Sequence, residues 1–278
     1  MSVTLMLGGN VDAITPALDC AIHLTKRLKS TLTGLCALPD PATSSVYITG
    51  AETVVLGSAA IASLTAAQDE RVESFSEVFS SNTDAAGPWL KANFRKEIGS
   101  VAAHAVAAAT LDDAFVLPKE ATQSSHALNP AFEQVLMDAH LPLVLAPKQV
   151  SSSDTCLIAW DGSPIAARAV RLHMPLIRTY KRVVLAQNPD KVRHEWSHVC
   201  QDSKQRVIDL LHDERLDVTP VSIQGPVSEG LLKTAKEHGA SLIVMGAYGH
   251  NRIGQMLFGG TTSKLLHSDA APALALCR

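Results

Sequence analysis

The chain has little that would bind by bulk charge and little that would cross a bilayer. Its 278 residues hold 24 Lys and Arg against 27 Asp and Glu, a net charge of −3. That balance lacks the basic excess that drives broad binding to nucleic acid or to anionic lipid, so neither is expected as a partner. No apolar run approaches the roughly 20 residues of a membrane span. No basic segment followed by an apolar core and a cleavage site opens the chain, which predicts that there is no signal peptide. Cysteine is sparse: Cys20, Cys36, Cys156, Cys200 and Cys277 are odd in number, widely spaced and free of any CxxC. This argues against a disulfide framework and predicts a reducing, cytoplasmic location. What is present, 46% hydrophobic and 18% charged residues, is the composition of a globular protein with one large core or two ordinary ones.

The second half alternates strand and helix. Thr155–Trp160 reads as a strand, and Pro164–Ile177 as a helix with Ala166, Val170 and Ile177 near one face and Pro175 fraying its end. Arg182–Gln187 is a strand, Asp190–Asp213 a long amphipathic helix, and Leu216–Ile223 a third strand. A helix opens at Gly225-Pro226 and runs to about His238, where Gly239 suits its end. Ser241–Met245, a short helix over Thr261–Ser268 and a strand over Ala273–Cys277 complete the half. Strands alternating with helices predict an α/β fold with a parallel sheet.

The first half repeats this order. Leu7-Gly8-Gly9-Asn10 lines up with Trp160-Asp161-Gly162-Ser163 at an offset of 153, and Phe115–Pro118 with Ile243–Gly246 at 128. Leu141–Leu145 lines up with Ala271–Ala275 at 130. The joint falls in the polar stretch Lys148–Ser153, which predicts two similar α/β domains, 1–148 and 154–278. Glycine is missing between Gly99 and Gly162. Pro118 stands at the position of Gly246, Asn129-Pro130 at that of Gly259-Gly260, and Gly8 at that of Asp161. Proline removes a donor and restricts the backbone, so the first half is expected to bind nucleotide poorly or not at all.

The chemistry concentrates after the fourth strand of the second half. Gly246-x-x-Gly249, then nine residues, then Gly259-Gly260 at a helix start, is an arrangement that can bring backbone N–H groups and a helix N-terminus to a phosphate. An ordinary set of turns is the competing reading. Thr261 and Thr262 would add hydroxyl donors or else cap the helix. His250 and Arg252 lie inside the loop, where Arg252 either meets a phosphate or is a solvated charge. Asp161, beyond the first strand of this half, can accept from a ribose hydroxyl or a base amino group; alternatively Asp161 or Ser163 caps the helix at Pro164, and capping by Ser163 would leave Asp161 for a ligand. Gly254-x-x-x-x-Gly259 begins like a Walker A loop, but Gly260 replaces the lysine, and no GxGxxG fingerprint follows any strand. His194-Glu195-Trp196-Ser197-His198 matches HExxH; the apolar stripe of that helix leaves both histidines on the exposed side, and no third ligand follows at short range, so a polar surface is preferred to a zinc site.

Gly246-x-x-Gly249 with Gly259 nine residues on, and Trp160-Asp161-Gly162-Ser163 at the end of the first strand, resemble the signature of the universal stress protein family in a tandem pair. The resemblance is specific in the second half and diffuse in the first. It implies two five-stranded parallel-sheet domains of Rossmann-like type, similar to adenine nucleotide alpha hydrolases. It implies ATP in the second half, alone or with Mg²⁺, and a regulator or sensor of stress with little or no hydrolysis. By position it places Ala159, Trp160 and Asp161 against the adenosine and the backbone of Ala186 against the adenine. Met245, Gly246, Tyr248 and Gly249 would line ribose and phosphates, and Gly259, Gly260 and Thr261 would hold the phosphates. Gly260 departs from the family's usual serine or threonine. The family commonly dimerises through its last strand, a contact a tandem chain can make internally as a pseudo-dimer; a homodimer is the alternative, and a protein partner is expected without being identified. The competing functions are a slow Mg-dependent ATPase and an interaction protein that binds no nucleotide.

Overall fold

The computed structural model describes residues 2–41, 43, 46–49, 52–55, 57–192, 203–247 and 260–278, of which 46–49 and 52–55 by backbone alone. In the first half the apolar runs become β1 (Ser2–Leu7), β2 (Thr31–Leu38), β6 (Ala114–Leu117) and β7 (Leu143–Leu145), and the polar, largely exposed Lys91–Ile98 forms the edge strand β5. A hairpin, β3 (Val46–Thr49) and β4 (Glu52–Val55), is inserted after β2. The second half supplies β8 (Thr155–Ala159), β9 (Arg182–Gln187), β10 (Asp217–Ser222), β11 (Leu242–Gly246) and β12 (Ala273–Cys277). The helices are α1 (Thr15–Leu28), α2 (Ser58–Ala86), α3 (Val101–Ala109), α4 (Asn129–Phe132), α5 (Pro164–Leu172), α6 (Met174–Ile177), α7 (Ser203–Asp213), α8 (Val227–Glu237) and α9 (Gly260–His267). Among the described residues no helix is long and apolar enough to cross a membrane.

Ten strands form one sheet in the order β10-β9-β8-β11-β12-β7-β6-β1-β2-β5. Within each half the order by appearance is 3-2-1-4-5, and every neighbouring pair is parallel. The halves meet where β12 runs antiparallel to β7, with Ala275 opposite Val144. The expected internal contact between last strands is therefore made, and it merges the two sheets into one. The central strands are buried along nearly their whole length, because helices cover both faces. One layer takes in α1, α2, α5, α6 and α7; the other takes in α3, α4, α8 and α9.

Strand faces test the internal alignment. Val3 and Cys156, and Ala114 and Leu242, pack in the same layer, as offsets of 153 and 128 require. The offset of 130 for the last strand is corrected to 131. Val144 shares its layer with Ala273 and Ala275, whereas Leu274 faces the other way. A one-residue slip moves a side chain to the opposite face, so burial reveals an error that matching apolar letters hides.

Two helices are shorter than expected. The one over Pro164–Ile177 breaks at His173 (φ −93°, ψ 9°), two residues before Pro175, which cannot supply an N–H to the preceding turn. The expected helix over Asp190–Asp213 does not begin at Asp190. Pro189–Lys191 forms a tight turn, Asn188 Oδ1 accepts from Asp190 N at 3.0 Å, and Val192 is extended (ψ 134°). An Asn-Pro pair after a strand favours this local turn over helix continuation.

The halves are also tied across the joint. Arg27 of α1, its side chain 9% exposed, donates to the carbonyls of Ser153 and Thr179 and to Asp154, and lies 4.1 Å from the Tyr180 ring centroid.

Candidate functional site

Strand order reverses between β8 and β11, and the chain leaves them for opposite layers: α5 packs with one, α9 with the other. A crevice opens at the carboxyl ends of such a pair. At the end of β8, Gly162 takes a left-handed backbone (φ +78°) that few other residues adopt without strain. Asp161 Oδ1 accepts from Ser163 N at 2.9 Å, and Ser163 Oγ accepts from Ala166 N at 3.1 Å. Ser163 is thus the cap of α5, with Pro164 in its first turn. The expectation that this cap would leave Asp161 unengaged is corrected, because its carboxylate holds the turn that precedes the helix.

Gly246, at the end of β11, is needed for packing as well as for any ligand. A Cβ there would lie 2.8 Å from Ile165 Cγ2 and 3.0 Å from Ala166 N, so the strand end is pressed against the start of α5. Met245 and Ala247 are buried, and Ala247 N donates to Cys277 O at 2.8 Å. Across the opening, Val192 and Ser203 come within 3.6 and 3.3 Å of where a Cβ of Gly162 would stand. The structure therefore brings together Trp160, Asp161, Gly162, Gly246 and the start of α5.

At the head of α9, Gly260 is exposed with open space where a side chain would be, Thr261 is half-buried and Thr262 is buried. Tyr248, Gly249, His250, Arg252, Gly254 and Gly259 lie outside the described residues, as do Cys200 and the HExxH stretch from His194 to His198. Among the described residues no cluster of three His, Cys, Asp or Glu side chains could hold a metal ion.

Ala159 is half-buried and Ala186 fully buried. The carbonyl of Ala186 accepts from Trp160 N at 2.9 Å, so this residue sits inside the ladder. The positions that reach the mouth of β9 are Gln187 and Asn188, both buried polar residues that the sequence reading passed over. Asn188 donates through Nδ2 to Gly225 O at 3.0 Å, pinning the mouth of β9 to the loop after β10. Their signal was polarity at the end of an otherwise apolar strand.

The equivalent crevice of the first half is filled by its own chain. A Cβ on Gly8 would meet Leu128 Cδ2 at 2.7 Å, and one on Gly9 (φ +86°) would meet His126 Nε2 at 2.4 Å. Leu128 N donates to His126 Nδ1 at 3.1 Å, which keeps the two together, and burial lowers the pKa of His126. Arg71 donates to Gly9 O from the side of α2.

Comparison with known proteins bears on this asymmetry. Residues 153–275 match the model of the universal stress protein family. The second half of this chain is a universal stress protein domain. A universal stress protein of Synechocystis is 24% identical over 174 residues, covering 58% of this chain and 57% of that protein, so the match spans little more than half of the relative's length. In fold, the likeness extends to both halves. The crystal structure of a universal stress protein from Archaeoglobus fulgidus covers 100% of this chain and 98% of its own, at a TM-score of 0.64 and 14% identity. A Pseudomonas aeruginosa protein whose name carries the same family covers 99% and 92%, at a TM-score of 0.51 and 14% identity.

Proposed function

We propose that this protein binds an adenine nucleotide, ATP, at the carboxyl ends of β8 and β11, and acts as a stress-response regulator or sensor. The observation that carries the reading is the strand reversal with Asp161 and Gly162 on one side and Gly246 on the other, set against the α5 start. The open, exposed head of α9 supplies N–H groups and a favourable dipole for phosphates, with Thr261 beside it. Tyr248, Gly249, Arg252 and Gly259 complete the phosphate side by sequence.

One nucleotide per chain is the expected stoichiometry, because His126 and Leu128 occupy the first-half counterpart. Residues 1–148 then act as a permanent structural partner for residues 154–278, and an unidentified protein reads the liganded state. The described cysteines are unpaired and buried, and burial pushes the Cys36 and Cys277 thiols up to about 11. Inert thiols of this kind suit a reducing cytoplasm.

Calorimetric titration of the folded chain with ATP, with and without Mg²⁺, tests the proposal beside an Asp161→Asn variant. Asparagine keeps an acceptor for Ser163 N and removes the charge. One site per chain, weakened about tenfold by the variant through loss of a charge-assisted hydrogen bond, supports the reading. Absence of binding by folded, nucleotide-free protein refutes it.

A further inference from the structure

Strand pairing carries the first half to the far end of α9, the helix whose head faces the proposed phosphate site. Leu117, the last residue of β6, lies opposite Leu145 of β7, and Leu145 lies opposite Leu274 in β12. Because β12 runs antiparallel to β7, the turn that leads into it, residues 268–272, emerges beside the carboxyl ends of β6 and β7. The same turn is where α9 ends. Two lysines of the first half meet it there. Lys148, past β7, pairs with Asp269 at 2.8 Å, but both side chains are exposed, and such pairs contribute little. Lys119, just past β6, is half-buried and donates through Nζ to the carbonyl of Ser268. Burial pulls its pKa down and nearby Lys148 adds to that pull, while Asp269 and Glu120 oppose it. An ammonium that has lost part of its water needs a fixed acceptor. The Ser268 carbonyl is that acceptor, and it also takes the N–H of Ala271 at 3.2 Å, which closes the turn.

We propose that Lys119 of the first half is a positioning residue for the nucleotide site of the second: by fixing the C-terminal end of α9, it holds Gly260 and Thr261 where the phosphates of ATP reach them. This rests on the nucleotide reading above, and it gives the first half a part in binding although its own crevice is filled. A helix of eight residues is marginal alone. Within its own half α9 is held by buried Leu265 and Leu266 and by an exposed pair of Lys264 with Glu229 at 3.7 Å. A cation at its last carbonyls opposes fraying and complements its dipole. The two ends are only about 12 Å apart, at 1.5 Å per residue, so movement at one is felt at the other.

The test compares the full chain with Lys119→Met and Lys119→Arg by calorimetric titration with ATP and with adenosine, and by amide hydrogen exchange. Methionine should weaken ATP roughly three- to fivefold and leave adenosine unchanged, since adenosine does not use α9. It should also speed exchange at Leu265 and Leu266 without speeding it in β11. Arginine keeps the charge and the donor and should stay within about twofold of wild type. Should Lys119→Met not fold, Lys119→Gln replaces it with the same outcomes expected. Unchanged ATP affinity in the methionine variant, equal losses for ATP and adenosine, or an arginine variant as weak as the methionine one would each overturn the role of Lys119 while leaving the nucleotide reading in place. A wild-type chain that binds neither ligand overturns the nucleotide reading, and the role of Lys119 with it.

Discussion

Acid should loosen this protein through one buried histidine. His173 sits at the break between α5 and α6, 1% exposed, with Nε2 3.1 Å from Leu276 O in β12. The carbonyl can only accept, so Nε2 carries the proton and Nδ1 is left bare, without a partner among the described residues. Burial pulls the pKa from 6.5 down to about 4, and the bond to Leu276 offsets part of that pull. As pH falls below 6.5 the unfolded chain takes up the proton and the folded chain does not. The stability contributed by a neutral His173 is therefore complete above pH 6.5, declines toward pH 4, and is gone below it. A shift of this size amounts to about 3 kcal/mol, at 1.36 kcal/mol per pH unit. The comparison is wild type against His173→Leu in urea denaturation at pH 7, 6, 5 and 4.5, since other titrating groups cancel in the difference. At pH 7 the variant should be weaker by roughly 1 kcal/mol for the lost hydrogen bond. By pH 4.5 the order should reverse. A wild-type-minus-variant difference that stays constant with pH would refute the reasoning.

Other substitutions probe the site and the joint. Gly246→Val should cost about 1–3 kcal/mol by overpacking against Ile165 and the Ala166 backbone, measured by urea midpoint; an unchanged midpoint would mean the β11 end is not pressed on α5. Gly260→Glu should leave the fold intact or slightly firmer, since the position is open and a carboxylate suits a helix N-terminus. The same variant should weaken ATP roughly tenfold while sparing adenosine, because the added charge repels phosphate alone; equal losses for both ligands would displace the phosphates from α9. Arg27→Met should lower stability by about 2–3 kcal/mol, from the lost bonds to Ser153, Thr179 and Asp154 and the stacking on Tyr180. A loss below 0.5 kcal/mol would show that the joint does not depend on it.

The fold was legible because its inner strands are continuous apolar runs, the mark of a parallel sheet covered on both faces, whereas the edge strands β5 and β10 are polar and largely exposed. Arg182–Gln187 and Ala273–Cys277 could be read to the residue. The slip between β7 and β12 was not legible, since Leu143 to Leu145 and Ala273 to Ala275 look equally apolar in either register and only burial separates the faces. At the site, Asp161 and Ser163 could be named, but not that both would be used at once, one for the turn and one for the helix. The plug of His126 and Leu128 over Gly8 and Gly9 depends on contact between residues more than a hundred positions apart, which no local pattern encodes. Missing glycines predicted a weak first-half site; they did not reveal that the space is filled.

The β7–β12 seam has a consequence for concentration. Between separate chains the same strand contact would obey mass action and come apart on dilution. Here the partners are joined by the short stretch from Ala146 to Asp154, so the encounter is intramolecular and its effective concentration is set by that tether. Subunit exchange cannot re-pair the two halves. Each molecule carries a fixed pairing of two unlike halves, whatever the abundance of the protein in the cell.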